Sequence, residues 1–527
     1  MDISIKVNEL APFEFKITGT YAGSLIDDLA NAFSVDNPSA FFAKQYGFKM
    51  PTKIYGVSPF GTFKHGLIFD ILKYLKVNYA NLNITMTDQV KRIIASRLPL
   101  RQFANSDSYI GPQCISETIE MRPYQSEIID AIITKGYGRC MFEAPTGSGK
   151  SFVIANLIYT LQQEYNSDLR TLLFLPNAQL VKQFSKDLID YGFSKNTVIE
   201  FSANSYKKSE KNNLLSKQIV IANRQFLFNH GHEVGDFDMV IIDEVHSASV
   251  SSSQTAKFIQ TLTAPIKIGC SGTIPSDLAK YWTLLDLTGP VVYKETITHL
   301  QDEGYLANVK FVTVKVKDNI VENDRDLLFN LNPKIRYNVN GESQIAFSEP
   351  YTAETEYMSK NCMDLYSPIL TNPNIKLGKN ENTLILFDRI EFGKALFEFL
   401  KSIKFNDAKI YYIDGSVPID ERETIRSICE TSQNIIIVAQ VAVMSTGINI
   451  KNLSNLVMTG SSKSQSRTIQ SIGRTLRLHG SKSHATIWDI VFNYKYSKKH
   501  YLERSALYKK YYNRSKPDEV IKIEIGN

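Results

Sequence analysis

The chain has 527 residues, of which 43% are hydrophobic and 22% are charged, and its net charge is +6 at pH 7. This composition is typical of a soluble globular protein, and the length predicts about three domains rather than one core. The five cysteines are scattered without a Cys-x-x-Cys pair or a Cys/His cluster, which argues against a disulfide framework or a zinc site. No signal peptide or membrane-spanning apolar run is visible, so we expect no membrane partner and a cytoplasmic location, that of a bacterial host if the protein is viral.

The first hundred or so residues predict a small α+β domain. Short alternating strands are predicted at 3–7 and 13–17, and a helix at 66–76. A polar stretch at 106–120 is interpreted as a linker. The predicted domains are therefore 1–105, which is expected to bind DNA, 121–300 and 301–527, the last ending in a basic helical region.

From residue 121 onward, apolar strands alternate with amphipathic helices, which predicts α/β units with parallel sheets. The first series of predicted strands lies at 139–142, 171–175, 218–222, 239–242 and 266–270. The second series lies at 383–387, 409–413, 434–438 and 455–458. The sequence thus predicts two tandem α/β domains, with a boundary near 295–306.

The first strand of this series leads into a glycine-rich loop and then into a predicted helix. In that setting, backbone N–H groups turn inward around an anion at the positive end of the helix. Lys150 would reach the β- and γ-phosphates of a nucleotide, and the Ser151 hydroxyl would hold Mg²⁺. The alternative is a turn that binds nothing. The predicted phosphate-binding residues are Thr146, Gly147, Ser148, Gly149, Lys150 and Ser151.

An acidic motif, Asp-Glu-Val-His, follows the strand at 239–242. A carboxylate at the end of a strand beside a phosphate loop can anchor Mg²⁺, a role we give to Asp243. Glu244 would orient and deprotonate the attacking water, and His246 would link this site to the next motif. Ser271 and Thr273, after the strand at 266–270, would relay the nucleotide state to the second domain. The alternatives are an ordinary helix start and a turn.

Near the end of the second series, residues 470–477 read Gln-Ser-Ile-Gly-Arg-Thr-Leu-Arg. Arg474 and Arg477 are three apart and share a helix face, so both can stabilise charge on a γ-phosphate, with Gln470 beside them. The alternative is a solvated helix face.

Three weaker signals concern ligand contacts. Gln125 could pair with an adenine edge while Tyr124 stacks on the base. The Ser-Thr-Gly turn containing Thr446 and Gly447 could approach phosphates, or could simply be a tight turn. Basic residues interleaved with tyrosines near the C-terminus suit a nucleic-acid surface, or a solvated helix whose tyrosines pack inward. The lysines concerned, called the lysine pairs below, are Lys498, Lys499, Lys509 and Lys510.

Taken in order, these motifs resemble those of the superfamily 2 helicases, and among them the phage UvsW-type branch-migration helicases. The resemblance implies two tandem RecA-like domains preceded by a small α+β domain, with ATP and Mg²⁺ as cofactors. It also implies that ATP is gripped by Lys150, Ser151 and Asp243 on one side and by Arg474 and Arg477 on the other. Asn177, Gln179 and Thr446 become candidate contacts to nucleic-acid phosphates.

The same resemblance implies a motor that remodels branched DNA such as forks and Holliday junctions. The sequence does not set the oligomeric state, with which a monomer is compatible, and recombination or replication proteins are candidate partners. Residues 49–51 read Lys-Met-Pro where that family usually has Trp-Asp-Gly. Three alternatives stay open: a translocase that tracks on duplex DNA without separating strands, an ATP-gated DNA clamp, and an RNA helicase. The Asp-Glu-Val-His and Ser-Gly-Thr motifs disfavour the last, because RNA helicases carry Asp-Glu-Ala-Asp and Ser-Ala-Thr.

Overall fold

The computed structural model describes residues 2–19, 22–45, 47–203, 205, 211–323, 337–339, 342–344, 349–375, 377, 381–444, 450–459, 468, 471–473, 475, 477–478, 482 and 484–526. The chain divides into two compact units. The first comprises Met1–Ala144 and Gly149–Lys294, and the second comprises Pro145–Ser148 and Glu295–Asn527.

The N-terminal part of the first unit is a mixed α+β fold. Ile3 and Ile5 on one strand, and Phe15 and Ile17 on the next, are buried and alternate with half-buried residues, so one face of the sheet is packed in the core. In the described residues of this part, the sheet has the order β5-β2-β1-β6, and β3 pairs with β4 separately. The strands are β1 (Asp2–Asn8), β2 (Ala11–Thr18), β3 (Ser34–Asp36), β4 (Lys53–Tyr55), β5 (Thr62–Lys64) and β6 (Asn83–Met86). The helices are Ala22–Ala32, Pro38–Gln45, Ile68–Asn78, Asp88–Ser96 and Arg101–Ala104.

This α+β part packs closely on the helix Leu278–Leu287 of the same unit. The backbone at Gly66 lies so near that a Cβ there would come within 2.4 Å of the Asp286 Cα, and the Gly66 N–H donates to Asp286 Oδ1 at 3.0 Å. The buried Arg97 donates through Nη2 to the carbonyl oxygens of Leu285, at 3.0 Å, and Asp286, at 2.9 Å. Leu285 also belongs to the apolar core of the α+β part. The two parts therefore share a core.

Residues 107–122 contain no helix or strand, and this segment includes most of the stretch that we interpreted as a linker. It lies along the helix Lys150–Glu164. The Gln113 N–H donates to Thr160 Oγ1 at 2.9 Å, and the Ile115 N–H donates to Asn156 Oδ1 at 2.8 Å. Asn156 and Thr160 are both 0% exposed. The segment is thus part of the packed structure, held by two polar side chains one helical turn apart.

The rest of the first unit is a parallel sheet with helices. Its strands are near-continuous apolar runs because helices cover both faces of such sheets. In the described part of the chain the order is β13-β7-β12-β11-β8-β10-β9, and every pairing is parallel. The strands are β7 (Arg139–Glu143), β8 (Thr171–Leu175), β9 (Val198–Phe201), β10 (Ile219–Asn223), β11 (Met239–Asp243), β12 (Ile266–Ser271) and β13 (Val291–Lys294). The helices are Pro123–Thr134, Lys150–Glu164, Ala178–Tyr191, Lys211–Ser216, Arg224–His230, Gln254–Thr261 and Leu278–Leu287.

The second unit contains another parallel sheet. Its order among the described residues is β18-β19-β17-β20-β21-β14-β22, and β15 pairs with β16 in a separate antiparallel ribbon. The strands are β14 (Asn308–Asp318), β15 (Tyr337–Val339), β16 (Glu342–Gln344), β17 (Thr383–Phe387), β18 (Lys409–Ile413), β19 (Ile435–Gln440), β20 (Asn455–Met458), β21 (His484–Phe492) and β22 (Glu519–Ile525). The helices are Ile297–Asp302, Asn319–Asn323, Glu349–Lys360, Cys362–Leu370, Ile390–Ser402, Ile419–Thr431, Val441–Met444 and Lys495–Tyr512.

The predicted fold class is confirmed: two parallel-sheet domains follow a small α+β part. Each strand predicted in the two series is present, with ends that differ by at most two residues. The C-terminal region is not helical throughout, because β22 follows the helix Lys495–Tyr512 and pairs in parallel with β14. Within the described part of the chain, no helix has the length and apolar character needed to cross a membrane.

Candidate nucleotide site

The phosphate loop connects β7 to the helix that begins at Lys150. Gly147 and Gly149 have φ of 93° and 78°, in the left-handed region that favours glycine. A Cβ at Gly149 would also lie 2.6 Å from Gln125 Nε2, so a larger residue there would have to displace that amide. Lys150 Nζ donates to the Ala144 carbonyl at 3.0 Å. The sequence motif therefore folds as a glycine turn that ends in a helix N-terminus.

Ser151, the next residue of this helix, has a partner that the sequence did not predict. Its hydroxyl lies 3.1 Å from the Tyr191 hydroxyl at the end of the helix Ala178–Tyr191. The Tyr191 ring also packs edge-on against Phe152, with ring centroids 4.9 Å apart. Because the two residues are forty positions apart and belong to no shared motif, no local signal could have revealed this pair.

The acidic motif lies at the carboxyl end of β11, next to the end of β12. Glu244 adopts a left-handed backbone conformation, with φ of 50°. Its Oε2 accepts a hydrogen bond from Ser271 Oγ at 3.1 Å and lies 3.2 Å from His246 Nδ1. His246 Nδ1 is 2.9 Å from Ser271 Oγ, which accepts from the Thr273 N–H at 3.1 Å. The structure thus brings together four residues that the sequence predicted from two separate motifs.

The two neighbouring carboxyl groups have shifted pKa values. Burial, together with the charge of Glu244, raises the pKa of Asp243, while Lys150 acts in the opposite direction. Burial would also raise the pKa of Glu244, but the hydrogen bond to His246 and the charge of Lys150 outweigh burial and lower it. The site therefore holds Glu244 as a carboxylate. A hydrogen bond from Cys270 Sγ to Asp243 Oδ1, 3.4 Å long, further restrains the first carboxyl group.

These residues fit a nucleoside triphosphate with magnesium. The glycine turn at a helix N-terminus suits phosphate oxygens, and the Ser151 hydroxyl and the Asp243 carboxylate are oxygen donors of the kind that Mg²⁺ prefers. Among the described residues, no group of three or more His, Cys, Asp or Glu side chains could hold a metal ion without further ligands.

Two family descriptions match this chain. Residues 118–276 match the family "Type III restriction enzyme, res subunit", and residues 366–479 match "Helicase conserved C-terminal domain". The first match contains the phosphate loop, the acidic motif and Ser271 to Thr273, and the second contains the arginine motif. The chain is an ATP-hydrolysing helicase of superfamily 2.

Individual relatives agree with this assignment. The helicase is 26% identical over 385 residues to the ATP-dependent DNA helicase uvsW of Enterobacteria phage T4, a match covering 71% of this chain and 69% of that protein. It is 24% identical over 396 residues to the putative ATP-dependent helicase IRC3 of Saccharomyces cerevisiae, covering 72% of this chain and 52% of the relative. The DNA-bound structure of the Type ISP restriction-modification enzyme LlaBIII shares the fold, with a TM-score of 0.56 at 14% identity, covering 87% of this chain and 36% of that one.

The adenine-contact prediction concerns the start of the helix Pro123–Thr134. Tyr124 and Gln125 are 2% and 3% exposed. Gln125 Oε1 accepts from the Arg122 N–H at 3.0 Å and caps this helix, while Arg122 Nη1 donates to the Tyr124 hydroxyl at 3.3 Å. Stacking of Tyr124 on a base would require its ring to move outward, so the adenine role of this pair stays a prediction.

The remaining predicted residues fall into two groups. Thr446, Gly447, Gln470 and Arg474 lie outside the described residues. Arg477 is half-buried, as are Asn177 and Gln179, and Asn177 Oδ1 caps the helix Ala178–Tyr191 by accepting from the Leu180 N–H at 2.9 Å.

The helix Lys495–Tyr512 exposes the four lysines of the lysine pairs. Two of its tyrosines point inward: the rings of Tyr508 and Tyr512 pack against Phe311, with centroid distances of 4.5 and 5.2 Å. Base stacking by these two tyrosines is therefore not supported, because their rings belong to the core. The four lysines are exposed, and their role as phosphate contacts stays a prediction.

Proposed function

We propose that this helicase is an ATP-driven DNA motor that remodels branched DNA by fork regression, Holliday-junction branch migration and duplex unwinding, in phage recombination, repair and replication. The observation that carries the proposal is the Glu244 carboxylate, held by His246 and Ser271 at the strand end that follows Asp243. Such a group is suited to accept a proton from the water that attacks a γ-phosphate.

The residues of the nucleotide site divide the work of hydrolysis. Lys150 and the backbone N–H groups of the glycine turn bind the phosphates, and Ser151 and Asp243 would hold Mg²⁺, which supplies charge stabilisation when bound. Glu244 orients the attacking water and takes its proton. In this proposal Arg474 and Arg477 stabilise the charge that develops in the transition state.

His246 carries the nucleotide signal onward in this proposal. Its Nδ1 contacts both Glu244, the proposed general base, and Ser271. Any change in the position of the Glu244 carboxylate therefore alters a hydrogen bond to β12. This contact gives a physical route from the γ-phosphate to the Ser-Gly-Thr motif, and it explains why hydroxyl residues are found there.

DNA as the partner is supported by the named activity of the phage relative and by the exposed lysine pairs. Residues 1–105 are proposed to add a second DNA-binding surface. Because this part shares its core with the first parallel-sheet domain, DNA held there would move together with the sheet that carries the Asp-Glu-Val-His motif. A translocase without strand separation is the second candidate, favoured by the similarity to a restriction enzyme family.

The test is the ATPase rate with single-stranded, duplex, forked and four-way-junction DNA and with RNA. It is combined with strand-displacement assays and with branch-migration assays on four-way junctions. We expect the largest stimulation with forked or four-way DNA, and ATP-dependent movement of the junction. Glu244→Gln should bind ATP and hydrolyse it at least about 100-fold more slowly, as expected for loss of a general base. Stimulation by RNA alone, or ATPase activity without strand movement, would contradict the proposal.

A further inference from the structure

Residues 37–69, in the α+β part of the first unit, combine positive charge with exposed aromatic rings. This stretch contains four lysines and no aspartate or glutamate, although the whole chain contains 54 acidic residues. Lys64 forms an ion pair with Glu14 of β2, with 3.0 Å between Nζ and Oε1. Lys44 and Lys49 are exposed, so the stretch presents positive charge to solvent.

One exposed ring of this stretch is held on a tightly bonded turn, residues 58–62. Phe60, at the tip of the turn, is 79% exposed. The Ser58 hydroxyl accepts from the N–H groups of Phe60, at 3.2 Å, and of Thr62, at 3.1 Å. The Ser58 N–H donates to the Thr62 carbonyl at 2.8 Å, and the Gly61 N–H donates to the Ser58 carbonyl at 2.9 Å. The backbone that carries the Phe60 ring is therefore fixed by four hydrogen bonds.

The turn is also anchored to the core of the α+β part. Val57 and Phe63, which flank it, are both buried. The Gly61 carbonyl accepts from the Ile17 N–H of β2 at 2.9 Å. A side chain presented on a fixed backbone loses little conformational freedom when it binds another molecule. The Phe60 ring is thus well placed to contact a partner.

A second exposed ring precedes β4 in the sequence, whereas the turn follows β4. Phe48 is 72% exposed, and its N–H donates to the Ala43 carbonyl at 2.8 Å. The exposed Lys44 and Lys49 are close to it in sequence. Cations that bind phosphates, together with aromatic rings that stack on bases, are the combination with which proteins hold single-stranded nucleic acids. In a duplex the faces of the bases are already stacked on one another, so these rings require unpaired bases.

We propose that residues 47–62, together with Lys44, form a binding site for single-stranded DNA. Phe48 and Phe60 stack on unpaired bases, and Lys44 and Lys49 bind phosphates. The inference rests on the proposed function, because it takes the DNA role of residues 1–105 from there. An anionic lipid surface would also attract lysines and aromatic rings, but peripheral membrane binding commonly uses one face of an amphipathic helix, whereas these rings lie on a turn and a loop.

The experiment measures equilibrium binding of fluorescein-labelled oligothymidine, and of a blunt duplex of the same length, to the full-length chain. Phe60→Ala should weaken binding of the oligothymidine at least about 5-fold, which corresponds to the loss of about 1 kcal/mol of base stacking, and should leave binding of the duplex unchanged. Phe60→Trp retains a stacking ring and should restore the affinity. Phe60→Leu is apolar but has no ring, so it should not restore it. The Tm of each variant shows whether the fold is intact.

Phe13→Ala is the matched control. Phe13 is 62% exposed in the same α+β part, but it lies on β2 beside Glu14 and outside the stretch that lacks acidic residues. This variant should bind both DNAs as the unaltered protein does. Changing Lys44 and Lys49 to glutamine should flatten the dependence of the oligothymidine affinity on log salt by about 0.7 for each lost phosphate contact.

Three results would overturn the inference: an unaltered oligothymidine affinity for Phe60→Ala, an equal loss of affinity for the duplex, or an equal loss for Phe13→Ala. If Phe60→Ala lost binding only to vesicles of phosphatidylserine and phosphatidylcholine, the site would belong to a lipid surface instead. Failure of the proposed function would look different, since no DNA would then stimulate the ATPase of the unaltered protein, whatever its affinity for oligothymidine.

Discussion

Replacing Arg97 with Met should separate the α+β part from the parallel sheet on which it packs. Arg97 is buried, its Nη2 donates to two backbone carbonyls, and its Nη1 lies 3.9 Å from Asp286 Oδ1. Methionine can fill much of the space but cannot donate. Asp286 would keep its bond from the Gly66 N–H and lose its cationic neighbour.

The expected loss of unfolding free energy follows from the buried groups that lose their partner, namely the Asp286 carboxylate and the carbonyls of Leu285 and Asp286. Removing one partner of a buried, hydrogen-bonded pair costs about 3–5 kcal/mol, because the remaining charge and carbonyls are buried without compensation. The 3.9 Å separation from Asp286 is long for an ion pair, so the two carbonyl bonds carry most of this cost. For a domain of this size, each kcal/mol lowers Tm by about 2–4 °C, and we therefore expect a fall of about 10 °C.

Urea unfolding followed by intrinsic fluorescence measures this directly. Trp282, one of two tryptophans in the chain, lies at the contact, where a Cβ on Gly56 would come within 3.1 Å of its ring. Arg92→Met, an exposed change on the neighbouring helix, is the control and should stay within about 0.5 kcal/mol. A loss below about 1 kcal/mol for Arg97→Met would refute the reasoning, because it would show that the buried guanidinium bonds are not needed to hold the two parts together.

Two further changes test the ligand sites. Tyr191→Phe keeps the ring contact with Phe152 but removes the hydroxyl beside Ser151. Binding of a fluorescent ATP analogue to this variant should therefore need about tenfold more Mg²⁺. Tyr165→Phe is the control, and an unchanged Mg²⁺ requirement for Tyr191→Phe would show that Tyr191 serves only in packing. Changing the lysine pairs to glutamine should weaken DNA binding and flatten its dependence on log salt by about 0.9 per lost phosphate contact. A salt slope equal to that of the unaltered protein would mean that these lysines are only solvated.

Much of the fold could be predicted because most strands of the two parallel sheets are short apolar runs with both faces buried. Two of the strands that were missed carry a different pattern, whereas β21 was missed although its residues from Ala485 to Phe492 are all buried. β14 and β22 alternate buried residues with exposed lysines and glutamates, since β22 lies at the sheet edge and β14 is next to it. Such alternation over a polar stretch resembles a surface strand or a loop. Only the pairing of β14 with β22, which are about two hundred residues apart in sequence, identifies them as strands of the parallel sheet.

The part of the nucleotide site that could be predicted consists of residues that are close together in the sequence. The glycine turn and the Asp-Glu-Val-His motif are short runs of adjacent residues, so each can be recognised in the sequence without knowledge of the tertiary structure. Tyr191 and Arg97 could not be found in this way. The partner of Tyr191 is a hydroxyl forty residues away, and Arg97 donates to backbone carbonyls, which every residue possesses. Only the tertiary structure distinguishes these two from ordinary surface residues.

The contact between residues 113–115 and the helix that starts at Lys150 has a practical consequence for the design of truncated variants. A shortened chain beginning at the first recognised motif, near residue 121, would strip away the peptide groups that satisfy Asn156 and Thr160. Asn156 and Thr160, which are both 0% exposed in the intact protein, would then lose these backbone partners on the helix that begins at Lys150. Truncated variants that are meant to contain only the two parallel-sheet domains should therefore retain residues 107–122.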